Sequence, residues 1–356
     1  MDLSRLISEV DDELRNILSK YLSETEGIHG ELRELVSSVS EYTLRGGKRL
    51  RAILIALGYL SRGITDLKPI KELMASIEFL QSYLLVHDDV MDRDEVRRGG
   101  PTLHAFFRDK CINQGFIGDC NHYGISQAIV AGDYLESIAI GAIANLSLKP
   151  EVTIALVKRY SEGLRTVAYG QYLDVLMSNK SLREVKATDV LKVHELKTAS
   201  YTVELPLHLG VIARDPSDRE LLSLYSNFSK PAGIAFQLRD DILGLYGDPK
   251  VTGKPVGSDV RERKKTLLVV KAYELGDVSD RKVLEEIYDS RREVDLNDVK
   301  NVQEVVKRTG SLNHSEELIK EMYSKARGII EYSKPIDPVV KQELLKMLEK
   351  LVFREK

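Results

Sequence analysis

The sequence predicts an all-α protein, a bundle of helices in a single domain spanning residues 1–356. Three observations carry that prediction. Apolar residues recur three and four positions apart through most of the chain, the period of an amphipathic helix. Strict two-residue alternation is rare and short, which leaves strands little support. No repeat, low-complexity stretch or Pro- or Ser-rich linker divides the 356 residues. A single domain of that length is about twice the usual size, and it can bury a core around an internal pocket.

The elements follow in order. Leu3, Leu6, Ile7, Val10, Leu14, Ile17 and Leu18 fall mostly on one helical face, and Leu32, Leu35, Val36, Val39 and Tyr42 repeat the pattern. Ala52 to Leu60 is apolar nearly all round, as in a buried helix. A long helix is expected from about Ile70 to Val90, with Pro69 placed to open it. Further helices fit 126–145, 150–178, 189–209, 217–246, 264–274, 281–290, 299–307, 314–331 and 336–353. Pro150 suits a helix start, whereas Pro206 and Pro231 fall inside helical patterns and are expected to kink or interrupt them. Two segments resist the period: about 95–124, and Gly247 to Arg263. The second mixes glycines, prolines and charges, a composition that marks functional loops.

Composition narrows the function. An apolar fraction of 43% beside 30% charged residues excludes a disordered chain, a collagen-like fibre and a disulfide scaffold. The 52 basic and 55 acidic side chains nearly cancel, so there is no nucleic-acid footprint. Cys111 and Cys120, the two cysteines, suggest a reducing compartment. Nine residues apart, they lack the spacing of a zinc knuckle. The N-terminus is acidic and amphipathic, unlike a signal peptide. No apolar stretch reaches the length of a membrane span. A soluble, cytoplasmic protein is expected.

The chemistry begins at His87-Asp88-Asp89-Val90-Met91-Asp92, the end of the long apolar helix. Asp88 and Asp92, four apart, share a helix face. Carboxylates so placed repel and want a cation, and oxygen ligands suit Mg²⁺ when substrate phosphates complete its shell. A charged, solvated helix end is the plainer reading of this cluster alone. A second cluster, Phe236-Gln237-Leu238-Arg239-Asp240-Asp241, also follows a largely apolar segment. Two such pairs are better explained as facing sets of metal ligands for a diphosphate than as unrelated surface patches.

Basic residues accompany them. Gly46-Gly47-Lys48-Arg49-Leu50-Arg51 places Lys48 and Arg51 three apart after glycines that permit a tight turn. Arg97 and Arg98 follow the first acidic cluster, Lys197-Thr198 lies mid-chain, Lys254 sits in the glycine-rich loop, and Lys264-Lys265 close that loop. Arg offers phosphate a planar fork and Lys a point charge. The string is not a nucleotide P-loop, because its spacing is wrong and no strand precedes it.

Together these motifs resemble the trans-isoprenyl diphosphate synthases, the family of farnesyl and geranylgeranyl diphosphate synthases. The likeness runs from Gly47-Lys48-Arg49-Leu50-Arg51 through Asp88-Asp89-Val90-Met91-Asp92, Arg97-Arg98 and Gly170-Gln171-Tyr172-Leu173-Asp174. It continues through Lys197-Thr198, Phe236 to Asp241, Thr252-Gly253-Lys254-Pro255 and Gly257-Ser258-Asp259. The order of the motifs makes the likeness specific, and the archaeal-type geranylgeranyl synthases match it well. The resemblance implies an isoprenoid-synthase bundle around a deep central pocket, working as a homodimer. It implies that Asp88, Asp92 and Asp240 hold Mg²⁺, three ions with substrate bound, while Asp89 and Asp241, with Asp174, support them. Arg97, Lys197 and Lys254 would grip an allylic diphosphate (dimethylallyl, geranyl or farnesyl). Lys48, Arg51 and Arg98, with Gly47, Gln81 and Lys264 nearby, would grip isopentenyl diphosphate. Thr198 and Gln237 would line the reacting centre, and His87 would be a packing or supporting residue.

This chain departs from the family pattern in three places. Gly244 replaces the common fifth-position Asp of the second cluster, read as a tolerated loss. Gln81 stands where many members carry His; it still donates a hydrogen bond but takes no charge. About fifteen extra residues, near 107–122, read as a surface insertion. Tyr83, five positions before Asp88 and flanked by Leu84, Leu80 and Phe79, resembles the aromatic floor of a prenyl pocket. A single aromatic there implies a C20 product, with farnesyl or C25 and longer products as alternatives. A terpene cyclase, a head-to-head synthase and a non-catalytic partner subunit are the competing functions. The first two need no isopentenyl site, and the last would lose acidic clusters that this chain keeps.

Overall fold

The computed structural model describes residues 2–247 and 257–353. The fold is all-α, and the described residues hold a single two-residue β-ladder, β1 (Val96–Arg97) antiparallel to β2 (Gly100–Pro101). Packing divides the chain into two compact units. Unit 1 runs to Lys158 and takes in Leu209–Ser217; unit 2 holds Arg159–His208 and the chain from Asp218 onward. No linker separates them along the sequence, because each boundary near residues 158 and 208 falls inside a helix.

Unit 1 opens with α1 (Leu3–Glu26), whose Leu6, Val10, Leu14 and Leu18 are buried at a four-residue spacing. The Asp2 side chain caps it by accepting from the Arg5 amide at 3.1 Å. α1 packs against α2 (Leu32–Leu44), α3 (Leu50–Leu60) and α4 (Lys71–Asp92). From Ala52 onward every residue of α3 is buried, as its sequence predicts. A 3₁₀ turn, Lys68–Ile70, contains Pro69 and leads into α4.

The stretch about 95–124 is more helical than its sequence suggests. It holds α5 (Leu103–Asn113) and the start of α6 (Cys120–Ala144), both packed together. Leu103, Phe107 and Cys111 are buried four apart on α5, a period masked by the charged run Arg108-Asp109-Lys110. Cys111 and Cys120 form a disulfide with Cα atoms 5.4 Å apart. The extra residues near 107–122 are a helix end, a short exposed turn and a helix start tied by a covalent bond. The bond also removes the premise of reduced thiols behind the reducing-compartment reading. α6 is the most apolar of the long helices. Among the described residues it is the one helix long and apolar enough to cross a membrane, with a mean hydropathy of 1.2 over its most apolar window. It also packs on α4 and α5 and carries Asp133 and Glu136.

Unit 2 receives most of α7 (Pro150–Ser178), then α8 (Ala187–Val193), a π-helix (His194–Glu204), α9 (Leu205–Arg214) and α10 (Arg219–Tyr246). The single helix expected over 189–209 is thus three segments. The Leu205 amide bonds the Ser200 carbonyl five residues back, and Pro206 then offers no N–H. A missing donor at that point accommodates the change from the wider π register to the α register. Pro231 does not interrupt α10, which runs through it. α10 packs along the π-helix, and Gly233 permits it: a Cβ there would lie 2.3 Å from Ala199 Cα.

The remaining helices are α11 (Ser258–Arg261), α12 (Leu267–Leu275), α13 (Val278–Tyr288), α14 (Leu296–Arg308), α15 (Ser311–Glu331) and α16 (Pro338–Val352). Asp277, Asp295 and Asp337 cap three of them, and Pro338 starts α16 as a first-turn proline. α15 packs along α10 and completes the core of this unit.

Candidate active site

In unit 1 the last turn of α4 presents the first acidic cluster. Asp88 and Asp92 are half-buried, and Asp89 is buried. Asp89 has both oxygens occupied. Tyr42 Oη donates to Oδ2 at 2.6 Å, and Arg97 Nε donates to Oδ1. Arg97 also donates to Asp94 at 3.0 Å and lies 3.7 Å from Asp88. Burial pushes the Asp89 carboxyl up to about 6, against the pull of Arg97. Burial works against the charge of Arg97 too, but Asp89, Tyr42 and Asp88 outweigh it and hold that guanidinium protonated. Burial and then the charge of Asp89 lift the Tyr42 hydroxyl far above the phenol range, so it stays a donor. Asp89 is thus a structural anchor of the cluster, and Asp88 and Asp92 are its candidate metal ligands.

The arginine pair follows on the β1–β2 hairpin, where Arg93, Arg98 and Gly99 adopt left-handed backbone at φ 60°, 52° and 75°. Arg45, at the end of α2, donates to the Pro101 carbonyl at 2.6 Å. A Cβ on Gly100 would sit 2.6 Å from the Arg45 guanidinium carbon, so this contact needs glycine. Arg98 donates to the Gly46 carbonyl at 2.7 Å and stacks its guanidinium where a Gly47 Cβ would point. Burial and the nearby Arg49 charge lower the Arg98 pKa. Unit 1 therefore brings together three motifs distant in sequence: the acidic end of α4, the Arg97-Arg98 hairpin and the Gly46–Arg51 segment. Lys48 is exposed, and Arg51 is half-buried in the first turn of α3. Gln81 is half-buried on α4, seven residues before Asp88.

Tyr83 is half-buried and stacks edge-on to His87, ring centroids 4.8 Å apart. Leu84 is half-buried, while Leu80 and Phe79 are fully buried. Burial, then Asp133 and Glu136 on α6, raise the Tyr83 hydroxyl pKa. His87 contacts the Ile129 carbonyl at 3.2 Å and lies 3.8 Å from Asp133. Gly132 makes room for it, since a Cβ there would meet His87 Nε2 at 2.3 Å. These contacts all tie the ring to α6.

In unit 2 the second cluster is wired through the π-helix. Thr198 Oγ1 donates to Gln237 Oε1 at 2.8 Å, and Gln237 Nε2 donates to Asp241 Oδ1 at 2.9 Å. The His194 ring lies 3.3 Å from Asp241 Oδ2. That contact is an ion-pair distance without hydrogen-bond alignment, so this buried oxygen lacks a donor. Lys197 Nζ donates to Asp174 on α7 at 2.6 Å. Gly170 allows α7 this close, because a Cβ would meet the Lys197 amide nitrogen at 2.5 Å. Asp240 is half-buried one position before Asp241.

At Gly244 a side chain would meet Asp259 unless that carboxylate turned away. A Cβ at Gly244 would lie 2.5 Å from Asp259 Oδ2. The carboxylate of the Gly257-Ser258-Asp259 motif fills the place a fifth-position side chain would need. Lys264 pairs with Glu262 at 2.8 Å, and its neighbour Lys265 is buried, donating to the Ser178 carbonyl at the end of α7 at 2.6 Å. Burial lowers the Lys265 pKa to about 8. Lys254 lies outside the described residues. Sequence reasoning missed Tyr42, which supports the first acidic cluster, and His194, which packs against the second. His194 is a helical neighbour of Thr198, four residues away, but Tyr42 meets Asp89 from 47 residues off and leaves no local signal.

Among the described residues, no group of three or more Asp, Glu, His or Cys side chains converges on one point. The donor chemistry still fits Mg²⁺: each unit offers carboxylates at the end of a buried helix, and Asp241 Oδ2 is a buried acceptor without a donor.

The polyprenyl synthetase family model matches residues 33–306. A geranylfarnesyl diphosphate synthase from Aeropyrum pernix is 34% identical over 87% of this chain and 91% of its own length. A geranylgeranyl diphosphate synthase from Sulfolobus acidocaldarius is 31% identical over 78% and 76%. The crystal structure of a geranylgeranyl pyrophosphate synthase from Corynebacterium glutamicum, complexed with isoprenyl diphosphate and magnesium, superposes with a TM-score of 0.93. It is 27% identical, and the match covers 99% of this chain and 100% of that one. The chain therefore belongs to the polyprenyl synthetases, the trans-isoprenyl diphosphate synthase family that condenses isopentenyl diphosphate with allylic diphosphates.

Proposed function

We propose that this chain is a Mg²⁺-dependent geranylgeranyl diphosphate synthase, extending an allylic diphosphate head-to-tail to C20. The observation that carries the chemistry is the hydrogen-bonded line Thr198–Gln237–Asp241, which fixes the second acidic cluster beside a buried acceptor oxygen. Asp88, Asp92 and Asp240 would hold three ions. Bound there, Mg²⁺ would neutralise a leaving diphosphate as a Lewis acid.

The chain's own groups do the rest. Arg97, Lys197 and Lys254 bind the allylic diphosphate. Lys48, Arg51 and Arg98, with Gln81, bind isopentenyl diphosphate. The allylic C–O bond ionises, and the isopentenyl double bond attacks the cation. The proton then leaves to the departing diphosphate, so no protein nucleophile is needed. Apolar walls keep water from quenching the cation.

Tyr83 supports the C20 reading as a bulky stop beside the chain's path. A C25 product is the second reading, favoured by the similarity to the Aeropyrum pernix enzyme. Exposed apolar residues on α6 (Ile125, Ile129, Val130) and on α7 (Tyr169, Tyr172) support a homodimer.

Incubating labelled isopentenyl diphosphate with C5, C10 and C15 primers and Mg²⁺ tests the function. The expected main product is C20, and Tyr83→Ala should lengthen it. A C25 main product from the unaltered enzyme favours the second reading, and an unchanged product from the variant removes Tyr83 as the floor. Asp88→Ala and Asp240→Ala should each cut turnover by about a thousandfold. Near-normal turnover in either variant would refute the metal assignment for that residue.

A further inference from the structure

We infer that Arg49 is a positioning residue, held by Asp11 and Glu78, that sets the Gly46–Arg51 segment for isopentenyl diphosphate. This rests on the reading that Lys48 and Arg51 bind that substrate. Arg49 stands between them in sequence and faces the opposite way: Lys48 is exposed, whereas Arg49 is only 3% exposed. Its Nε donates to Asp11 at 2.8 Å, its Nη2 to the Thr43 carbonyl at 3.1 Å, and its Nη1 to Glu78 at 3.4 Å. One side chain thus pins α1, the end of α2 and the middle of α4 to the segment.

The backbone explains why an anchor is needed. Gly46, Gly47 and Arg49 all have positive φ, at 92°, 143° and 43°. Glycine adopts such angles freely, but an arginine there is strained. Arg49 is also the N-cap of α3, and its side chain supplies no acceptor for the helix amides. Glu78 supplies it from α4, accepting from the Ala52 amide at 3.3 Å through its second oxygen. The carboxylate that holds Arg49 therefore also holds the helical turn that carries Arg51.

Stability alone does not account for this network. A buried ion pair is often no better than apolar packing, because desolvating the charges offsets their attraction. What the network does supply is a single conformation for a strained turn. Asp11 lies outside the stretch matched by the family model, residues 33–306. The anchor reaches back to α1.

Steady-state kinetics with each substrate varied in turn test the inference. Asp11→Asn and Arg49→Lys should raise KM for isopentenyl diphosphate about tenfold, through a small displacement of Lys48 and Arg51. The allylic KM should change less than twofold. Arg49→Met should do more than Arg49→Lys, so that the retained charge gives partial rescue. Where Arg49→Met fails to fold, because two carboxylates lose their partner, Asp11→Asn carries the test alone. Lys48→Ala serves as the control. If it raises KM for isopentenyl diphosphate while Asp11→Asn moves neither KM, or both equally, the positioning role is overturned and the substrate site stands. If Lys48→Ala leaves that KM unchanged, the site assignment and the positioning role fall together.

Discussion

Gly244 shows how one residue is decided by a neighbour far along the chain. Introducing the aspartate common at this position should not improve the enzyme. The new side chain would drive its Cβ to within 2.5 Å of Asp259 Oδ2 and set two carboxylates in contact. Overpacking of this kind costs about 1–3 kcal/mol, and like-charge repulsion adds to it. Gly244→Asp is therefore expected to lower the thermal midpoint and kcat together. A variant with an unchanged midpoint and higher kcat would show that Asp259 yields without cost. The groups that carry chemistry here were legible in the sequence because each sits in a short motif: Asp88 with Asp92, Lys197 with Thr198, Gln237 with Asp241. The groups that hold them were not. Tyr42, Glu78 and Asp259 act across 47, 26 and 15 residues, on Asp89, Ala52 and Gly244 respectively, and only the folded chain brings them in.

At the scale of elements, helices with a clean apolar stripe were read to within a few residues, as α7 and α10 illustrate. Failures came where covalent or backbone chemistry overrides periodicity. One expected helix is instead α8, a π-helix and α9, with Pro206 at the return to the α register. A stretch of π-helix often marks a functional site, and this one carries Lys197 and Thr198. α5 was hidden by its charged run, and the Cys111–Cys120 bond closes its turn into α6. Closing a loop of nine-residue separation should stabilise the fold by about 3 kcal/mol through the unfolded chain. Neither cysteine belongs to the acidic or basic clusters. Reduction, or the pair Cys111→Ala and Cys120→Ala, should thus lower the unfolding midpoint by several degrees and leave kcat near its original value at moderate temperature. Differential scanning calorimetry with and without reductant reads the first quantity. Equal midpoints would show that the bond adds no stability. Disulfides persist in oxidising compartments and inside hyperthermophiles, so the cysteine count alone does not assign this chain to a compartment.

Across the whole molecule, stability depends on pH through groups kept neutral inside, and His208 is the clearest of them. It sits on α9, is 8% exposed, and is surrounded by residues of α7, the π-helix and α10. Arg159 Nε on α7 donates to its Nδ1 at 3.0 Å, so that nitrogen carries no proton. Its Nε2 must then be the N–H, directed to the Leu222 carbonyl at 3.0 Å. Ser226 Oγ lies 3.2 Å from the same nitrogen and donates to Glu204 at 2.7 Å, while Glu204 itself stays 3.9 Å from the ring. A second proton would displace the Arg159 bond and place two cations together. Burial first, and then the Arg159 charge, lower the His208 pKa to about 3, against a smaller opposing effect of the Leu222 carbonyl. In the unfolded chain the same ring titrates near 6.5. Between those values the unfolded state binds the extra proton and the folded state does not. The stabilisation is therefore fully present above about pH 6.5 and is lost progressively as pH falls toward 3. By pH 5 the loss is on the order of 2 kcal/mol, a large share of a typical folding free energy. His208→Gln keeps an acceptor for Arg159 and a donor for Leu222 but cannot take up a proton. Subtracting its unfolding free energy from that of the unaltered chain, at steps from pH 7.5 to 5, isolates the His208 contribution from that of the carboxylates. The difference should shrink steadily as the pH drops. A difference that stays constant would mean that His208 takes up its proton as readily in the folded protein as in the unfolded chain and that Arg159 does not hold its Nδ1.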